Sequence, residues 1–469
     1  MKLLKVLIVF AWIITMALLL KKEGFLSRSY NITYYDILGK KDPYREEYLG
    51  IYLDNEKIGF SKSYIDAYSF PGNRVGFSIS NETRVFVKAF GEPSSINITT
   101  EVLIDDNYRL SSFSSILSSK QYKIEAKGER VANKIIASIY SGERLIVKRE
   151  FKEKDFAFLG EILPLSSLPS LSEGRVYCLK SFDPFGIMGD ERISLKVLKR
   201  TTIMYDDELF ETYPIIISYQ NIRAKLYTTR DGKILKAYLP YGFLAKKEDE
   251  KKAKKIKFSY PDISSLSSIP SNRIIEEPRK VSYFKIKMDK KIVVIKKDTF
   301  PETAFTLPIK EYLEFTKETA FVQSNDKGII EQARKIIGKE KDSQKASILL
   351  MEWVCTNLSQ KPAFSLPSAI EVLKNKTGDC NEHTILFTAL ARSIGIPTKM
   401  TVGLCYLDKR FYYHAWAKVF CGKWVSIDPT FNQAPADATH IPLIEGDIGE
   451  QIGLLGYIGN IKVEVLDYD

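Results

Sequence analysis

The chain has 469 residues, 45% hydrophobic and 12% aromatic, which is enough apolar material for large buried cores and excludes wholesale disorder, collagen-like repeats and coiled-coil rods. At roughly 150 residues per domain the length suggests about three units. The 69 Lys and Arg against 58 Asp and Glu leave a net charge of +11, too diffuse for the concentrated basic stripe of a nucleic-acid binder, so no nucleic-acid partner is expected.

The N-terminus points to a membrane. Residues 3–20 are apolar apart from Lys5 and Thr15, with Lys2 before them and Lys21-Lys22 after them. Such a stretch covers about 27 Å as a helix, enough for a thin hydrocarbon core if the lysines snorkel. A signal peptidase site needs an A-x-A-like pattern of small residues, whereas Leu18-Leu19-Leu20 run straight into Lys21-Lys22 without one. An uncleaved signal anchor over residues 1–25 is therefore preferred to a cleaved signal peptide or a buried helix. It would make the protein single-pass, with the bulk of the chain extracytoplasmic.

Residues 26–262 read as a β-rich domain. Residues 48–53 and 58–61 alternate around the turn Asp54-Asn55-Glu56-Lys57, and residues 213–218, 224–228 and 234–239 repeat the pattern, a hairpin signature. The series fits an antiparallel sandwich or an open barrel. The basic run 246–257 is interrupted by Glu248, Asp249 and Glu250 and reads as a solvated linker or helix face. A Ser/Pro-rich stretch at 261–270 marks a boundary, so residues 263–324 are taken as a linker with a small β segment. No histidine lies in this part of the chain, and Cys178 reads as a small core hydrophobe.

From residue 325 the periodicity turns helical, over 326–337, 343–358 and 365–373. Gly378-Asp379-Cys380-Asn381-Glu382-His383 then opens an apolar helix that stops at Gly395-Ile396-Pro397. Cys380 falls in its first turn, where unpaired N–H groups and the dipole favour a thiolate and can hold an oxyanion. Strands return at 399–406 and 412–420, the second carrying His414, and the turn 421–423 leads to Asp428. A thiol, an imidazole and a carboxylate make a complete set for nucleophilic catalysis. They lie 414 − 380 = 34 and 428 − 414 = 14 residues apart, so only tertiary folding can unite them.

The run from Gly378 to Thr384, with Ala389-Leu390-Ala391-Arg392 and Gly395-Ile396-Pro397, resembles the cysteine helix of the transglutaminase-like superfamily. His414-Ala415-Trp416, Trp424 and Asp428-Pro429-Thr430 are similar to its histidine and aspartate strands. The resemblance covers roughly residues 325–445 and implies a papain-like α+β core in a C-terminal domain, residues 325–469. By analogy Cys380 is the nucleophile, His414 the general base and acid, and Asp428 the orienting carboxylate. The family includes cross-linking transglutaminases, peptide-N-glycanases and cysteine-protease-like bacterial proteins, so membership does not choose the reaction. Lys418 stands where the family often has an acidic residue, and the calcium-binding segments of animal transglutaminases have no counterpart.

The expected activity is acyl transfer at an amide of a protein or peptide substrate through a thioester on Cys380. Water as acceptor gives peptide or isopeptide hydrolysis, and a lysine amine gives cross-linking. The alternative is a non-catalytic, membrane-anchored envelope or interaction protein that uses the domain for binding. Cys380, His383 and His414 are zinc-type ligands, but they contain only one closely spaced ligand pair, and neither metal nor cofactor is expected. Asn381 and Glu382 read as helix-start residues, and His440 as making a structural hydrogen bond. Gly446, Gly449, Gly453, Gly456 and Gly459 read as turns before a last strand at 462–466.

Overall fold

The computed structural model describes residues 30–39, 44–89, 92–119, 123–142, 144–152, 158–159, 172–182, 192–219, 222–230, 232–256, 261–262, 268–303, 305–361, 368–446 and 461–469. The expected signal anchor lies outside these residues, as do Gly449, Gly453, Gly456 and Gly459. Among the described residues no helix is long and apolar enough to cross a membrane.

The strands of the β-rich region are hydrogen-bonded into one 17-stranded sheet. Its first hairpin, Arg45–Leu53 and Glu56–Phe70, turns through Asp54 and Asn55, both at positive φ. Short polar side chains tolerate that conformation, and its twist matches the flanking strands. Strand Leu244–Glu248 pairs with Arg45–Leu53, placing Glu248 opposite Tyr48 and tying the end of the region to its beginning. The basic run thus starts as a strand and continues as the short helix Glu250–Lys254, capped by Asp249. Glu248 is buried, ion-paired to Lys57, and accepts the Tyr52 hydroxyl. Both halves of the sheet feed one core, in which Ile79, Val102 and Ile135 cluster with Leu195 and Ile215 and with Ile37 and Leu38 of helix Tyr34–Leu38.

The C-terminal domain packs helices α1 (Lys327–Ile337), α2 (Ser343–Asn357), α3 (Ala369–Asn375) and α4 (Cys380–Ser393) against a sheet. That sheet contains β1 (Thr398–Leu407), β2 (Arg410–Phe420), β3 (Trp424–Ile427) and β4 (Ile441–Glu445). β1 and β2 are antiparallel neighbours, β4 pairs with β1, and β3 pairs with β2. Asp326, Asp342, Ser368 and Asp379 cap the four helices by accepting backbone N–H groups of the first turn, each cap contributing about 1 kcal/mol. Helix α4 is the central element. Its Ile385, Leu386, Phe387 and Leu390 are fully buried with Ile329, Leu350 and Val372 of the other helices and Met400, Ala417 and Val419 of the sheet. Burial of each large side chain contributes roughly 2 kcal/mol, which fixes the start of α4 against β2.

The stretch read as linker and small β segment is built into this domain. Strand Ser268–Pro270 adds to the edge of β2. The hairpin Tyr283–Met288 and Lys291–Lys296 pairs with the last strand, Val463–Tyr468. Phe284 and Ile286 share a core with Tyr406 and Phe411, and Leu307 and Ile309 join the helical core.

Candidate active site

Helix α4 starts as its sequence dictates. The Asp379 side chain accepts Asn381 N–H at 2.9 Å, and Glu382 reaches back to accept Asp379 N–H at 2.8 Å, a reciprocal capping box. Gly378 permits this. A Cβ there would lie 2.1 Å from the Glu382 Cβ. Glu382 is buried, and burial followed by the nearby Asp379 charge pushes its carboxyl well above the usual range. His383 Nδ1 lies 2.7 Å from the Asp379 carbonyl oxygen, and burial lowers its ring's basicity.

Cys380 is the first residue of α4 and packs, half-buried, against Val402 and Ala415. The helix start was expected to favour its thiolate, but burial dominates and pushes the thiol well above its ordinary value. Asp379, Glu382 and Asp428 add to that rise, and a backbone hydrogen bond from Ala415 opposes it. The resting sulfur is therefore a thiol. It meets the backbone beside His414. Among the described residues no hydrogen bond joins the Cys380 sulfur to the His414 ring.

His414 and Asp428 are brought together. His414 sits in β2 opposite Gly403 of β1, and its Nε2 lies 2.7 Å from Asp428 Oδ2. The Nδ1 atom is left for a proton donor on the other side of the ring. Phe431 stacks on the ring with centroids 4.7 Å apart and planes inclined by 18°, which restricts its rotation. Asp428 follows β3 and is fully buried. Its Oδ1 accepts Thr430 N–H at 2.7 Å and Phe431 N–H at 3.1 Å, so the loop itself aims the carboxylate. Burial would raise the Asp428 carboxyl, but His414 and then His440 hold it far below the usual range.

His440 does more than satisfy one structural bond. Its Nε2 lies 2.9 Å from the same Asp428 Oδ2 and 3.6 Å from the Cys405 sulfur. Its Nδ1 lies 3.1 Å from the Asp437 carbonyl and 3.4 Å from Asp437 Oδ2. Arg279 closes the far side, with Nη1 2.8 Å from Asp437 Oδ2 and 3.2 Å from the Cys405 sulfur and its guanidinium 4.4 Å from the Phe431 ring centroid. Asp437, Arg279, Cys405 and Phe431 have no local pattern that marks them. Arg279 and Asp437 are 158 residues apart in sequence. The one readable signal is Asp437-Ala438-Thr439, where Thr439 N–H donates to Asp437 Oδ1 at 2.8 Å in the Asx-type turn those residues favour.

His414, Asp428 and His440 have ligand atoms within 4.8 Å of one another, close enough to consider a metal. Tetrahedral zinc at about 2.0–2.1 Å from each ligand would need ligand atoms roughly 3.3 Å apart. The 2.7 and 2.9 Å separations at Asp428 Oδ2 are those of hydrogen bonds, so the cluster as built is a proton network.

Residues 330–429 match the family model of the transglutaminase-like superfamily, so the C-terminal domain holds a transglutaminase-like core. No curated protein matches the chain. Among solved structures, a candidate cysteine protease from Cytophaga hutchinsonii is similar at 13% identity and a TM-score of 0.29, over 59% of this chain and 78% of its own. A β-barrel-like protein of unknown function from Brucella abortus is similar at 11% identity and a TM-score of 0.30, over 44% of this chain and 94% of its own. A candidate protease from Parabacteroides distasonis is similar at 11% identity and a TM-score of 0.22, over 77% of this chain and 65% of its own. At such scores no residue role is carried over from them.

Proposed function

We propose that the transglutaminase-like core is a cysteine enzyme that transfers an acyl group from an amide of a protein or peptide substrate. The observation that supports this most is the buried His414–Asp428 pair, 2.7 Å apart, beside a cysteine at the first position of a helix. In this reading His414 Nδ1 removes the Cys380 proton as the substrate carbonyl arrives, since the resting sulfur is a thiol. The sulfur attacks the carbonyl carbon, and the Cys380 N–H, which the capping box does not use, stabilises the developing oxyanion. His414 then returns the proton to the leaving amine, which leaves a thioester on Cys380. Water or a second amine attacks that thioester and regenerates the thiol.

The carboxylate supports the imidazolium formed in each half-reaction without taking its proton. Phe431 and the paired Asp428 keep the ring from turning away. The apolar N-terminal stretch supports membrane attachment with the domain outside the cytoplasm, and carbonate-resistant fractionation of the full chain with membranes would test it.

The reaction is tested by incubating the protein with a peptide library and a fluorescent primary amine, then following peptide cleavage and amine incorporation separately. Either product should appear with the wild type and vanish in Cys380→Ala. Retention of both activities in that variant would overturn the assignment.

A further inference from the structure

We infer that His440 is a positioning residue held as an imidazolium, which keeps Asp428 ionised and aimed at His414. The geometry carries this. His440 Nε2 faces Asp428 Oδ2 at 2.9 Å, while Nδ1 faces the Asp437 carbonyl at 3.1 Å and its carboxylate at 3.4 Å. A neutral imidazole has one N–H and one lone pair. In either neutral form one ring nitrogen would turn its lone pair towards an oxygen lone pair inside a buried cluster. Only the doubly protonated ring satisfies both ends.

The surrounding charges agree. The groups that face His440 are Asp428 after β3, Asp437 before β4, Cys405 on β1, His414 on β2 and, through Asp437 and Cys405, Arg279. Two buried carboxylates, Asp428 and Asp437, face two cationic groups, Arg279 and an imidazolium at His440. Burial would make the ring less basic, but Cys405, itself lowered by His440 and Arg279, and the hydrogen-bonded Asp428 and Asp437 raise it well above its ordinary value.

The consequence reaches the reacting atoms through Asp428. That carboxylate accepts two imidazoles on one oxygen and two backbone N–H groups on the other, so it cannot rotate away from His414. The His440 and His414 ring centroids are 5.6 Å apart, so an imidazolium at His440 lies beside the ring that takes the Cys380 proton. This functional part rests on the reading of Cys380 as nucleophile, whereas the charge state of His440 does not.

The test uses the full chain with 15N-labelled histidine. It has three histidines in all, so His383→Gln and His440→Gln assign every signal. At pH 8 the wild-type His440 ring should carry protons on both nitrogens while His383 carries one. The His440→Gln variant should move the acidic limb of the rate of Cys380 alkylation by iodoacetamide up by about one pH unit or more. A packing defect alone would lower the rate at every pH without moving the limb. If His440→Gln fails to fold, Asp437→Asn is used instead and should bring His440 deprotonation below pH 8. A neutral His440 in the wild type at pH 7, or an unmoved limb in a folded variant, would overturn the proposal. A doubly protonated His440 beside an unreactive wild-type Cys380 would uphold the charge assignment and refute the nucleophile reading instead.

Discussion

His414 and His440 share one acceptor: their Nε2 atoms lie 2.7 and 2.9 Å from the same oxygen, Asp428 Oδ2. A carboxylate loaded in this way cannot be replaced by an amide of the same shape, because one amide face offers a donor where both rings need an acceptor. Asp428→Asn should lower Cys380-dependent turnover by about 10²–10⁴-fold. It should also destabilise the domain by about 3 kcal/mol, since a buried cation loses its partner. Turnover and thermal unfolding of the same preparation check both effects.

Gly403 makes that sharing possible. It lies opposite His414 in β1, and a Cβ there would come within 1.9 Å of the Ile441 carbonyl oxygen, one residue after His440. Gly403→Ala should push β4 away from β1 and cost about 1–3 kcal/mol. Turnover should fall more than in a control of equal stability loss, such as Leu350→Val in the helical core.

The state of the Cys380 thiol sets the pH dependence of its reactivity. With burial holding it well above the ordinary value of 9.0, the rate of alkylation by iodoacetamide should still be climbing at pH 9. A plateau reached below pH 7 would mean a preformed thiolate–imidazolium pair. Stopped-flow labelling across pH 5–10, followed by peptide mapping, distinguishes the two.

Much of the C-terminal domain is legible in the sequence because its signals are local. Asp379 and Glu382 spell a capping box, Gly395-Ile396-Pro397 a helix stop, and His414 lies on a readable strand with Asp428 just past the end of another. The β-rich region is readable strand by strand, as at Asp54-Asn55, but not as one sheet. The pairing of residues 244–248 with 45–53 depends on packing between segments some 200 residues apart. The role of residues 268–309 and of Arg279 was hidden for the same reason. The thiol state of Cys380 is not legible in the sequence, because a helix dipole can be read from sequence position, whereas desolvation beside Val402 and Ala415 cannot.

Acid should loosen the domain through Asp437. Burial would raise this carboxyl, but His440 and then Arg279 hold it at about 2, against an ordinary value of 3.8. A carboxyl depressed in the folded state adds stability above its unfolded value and loses it as pH falls through the folded one. Asp437 should therefore contribute about 2 kcal/mol above pH 4, lost between about pH 4 and 2. Asp437→Asn should flatten the fall in urea midpoint over that window, and an unchanged slope would argue against the ion pair with Arg279.

The central claim is that Cys380 carries the acyl group with His414 as its proton carrier. The direct measurement is the mass of the acid-quenched protein after brief exposure to an activated peptide ester. Wild-type protein should gain the acyl mass on the tryptic peptide containing Cys380, release it to hydroxylamine, and lose this labelling in His414→Ala. Acyl mass spread evenly over Cys178, Cys355, Cys405 and Cys421 as well, and indifferent to His414→Ala, would contradict the account.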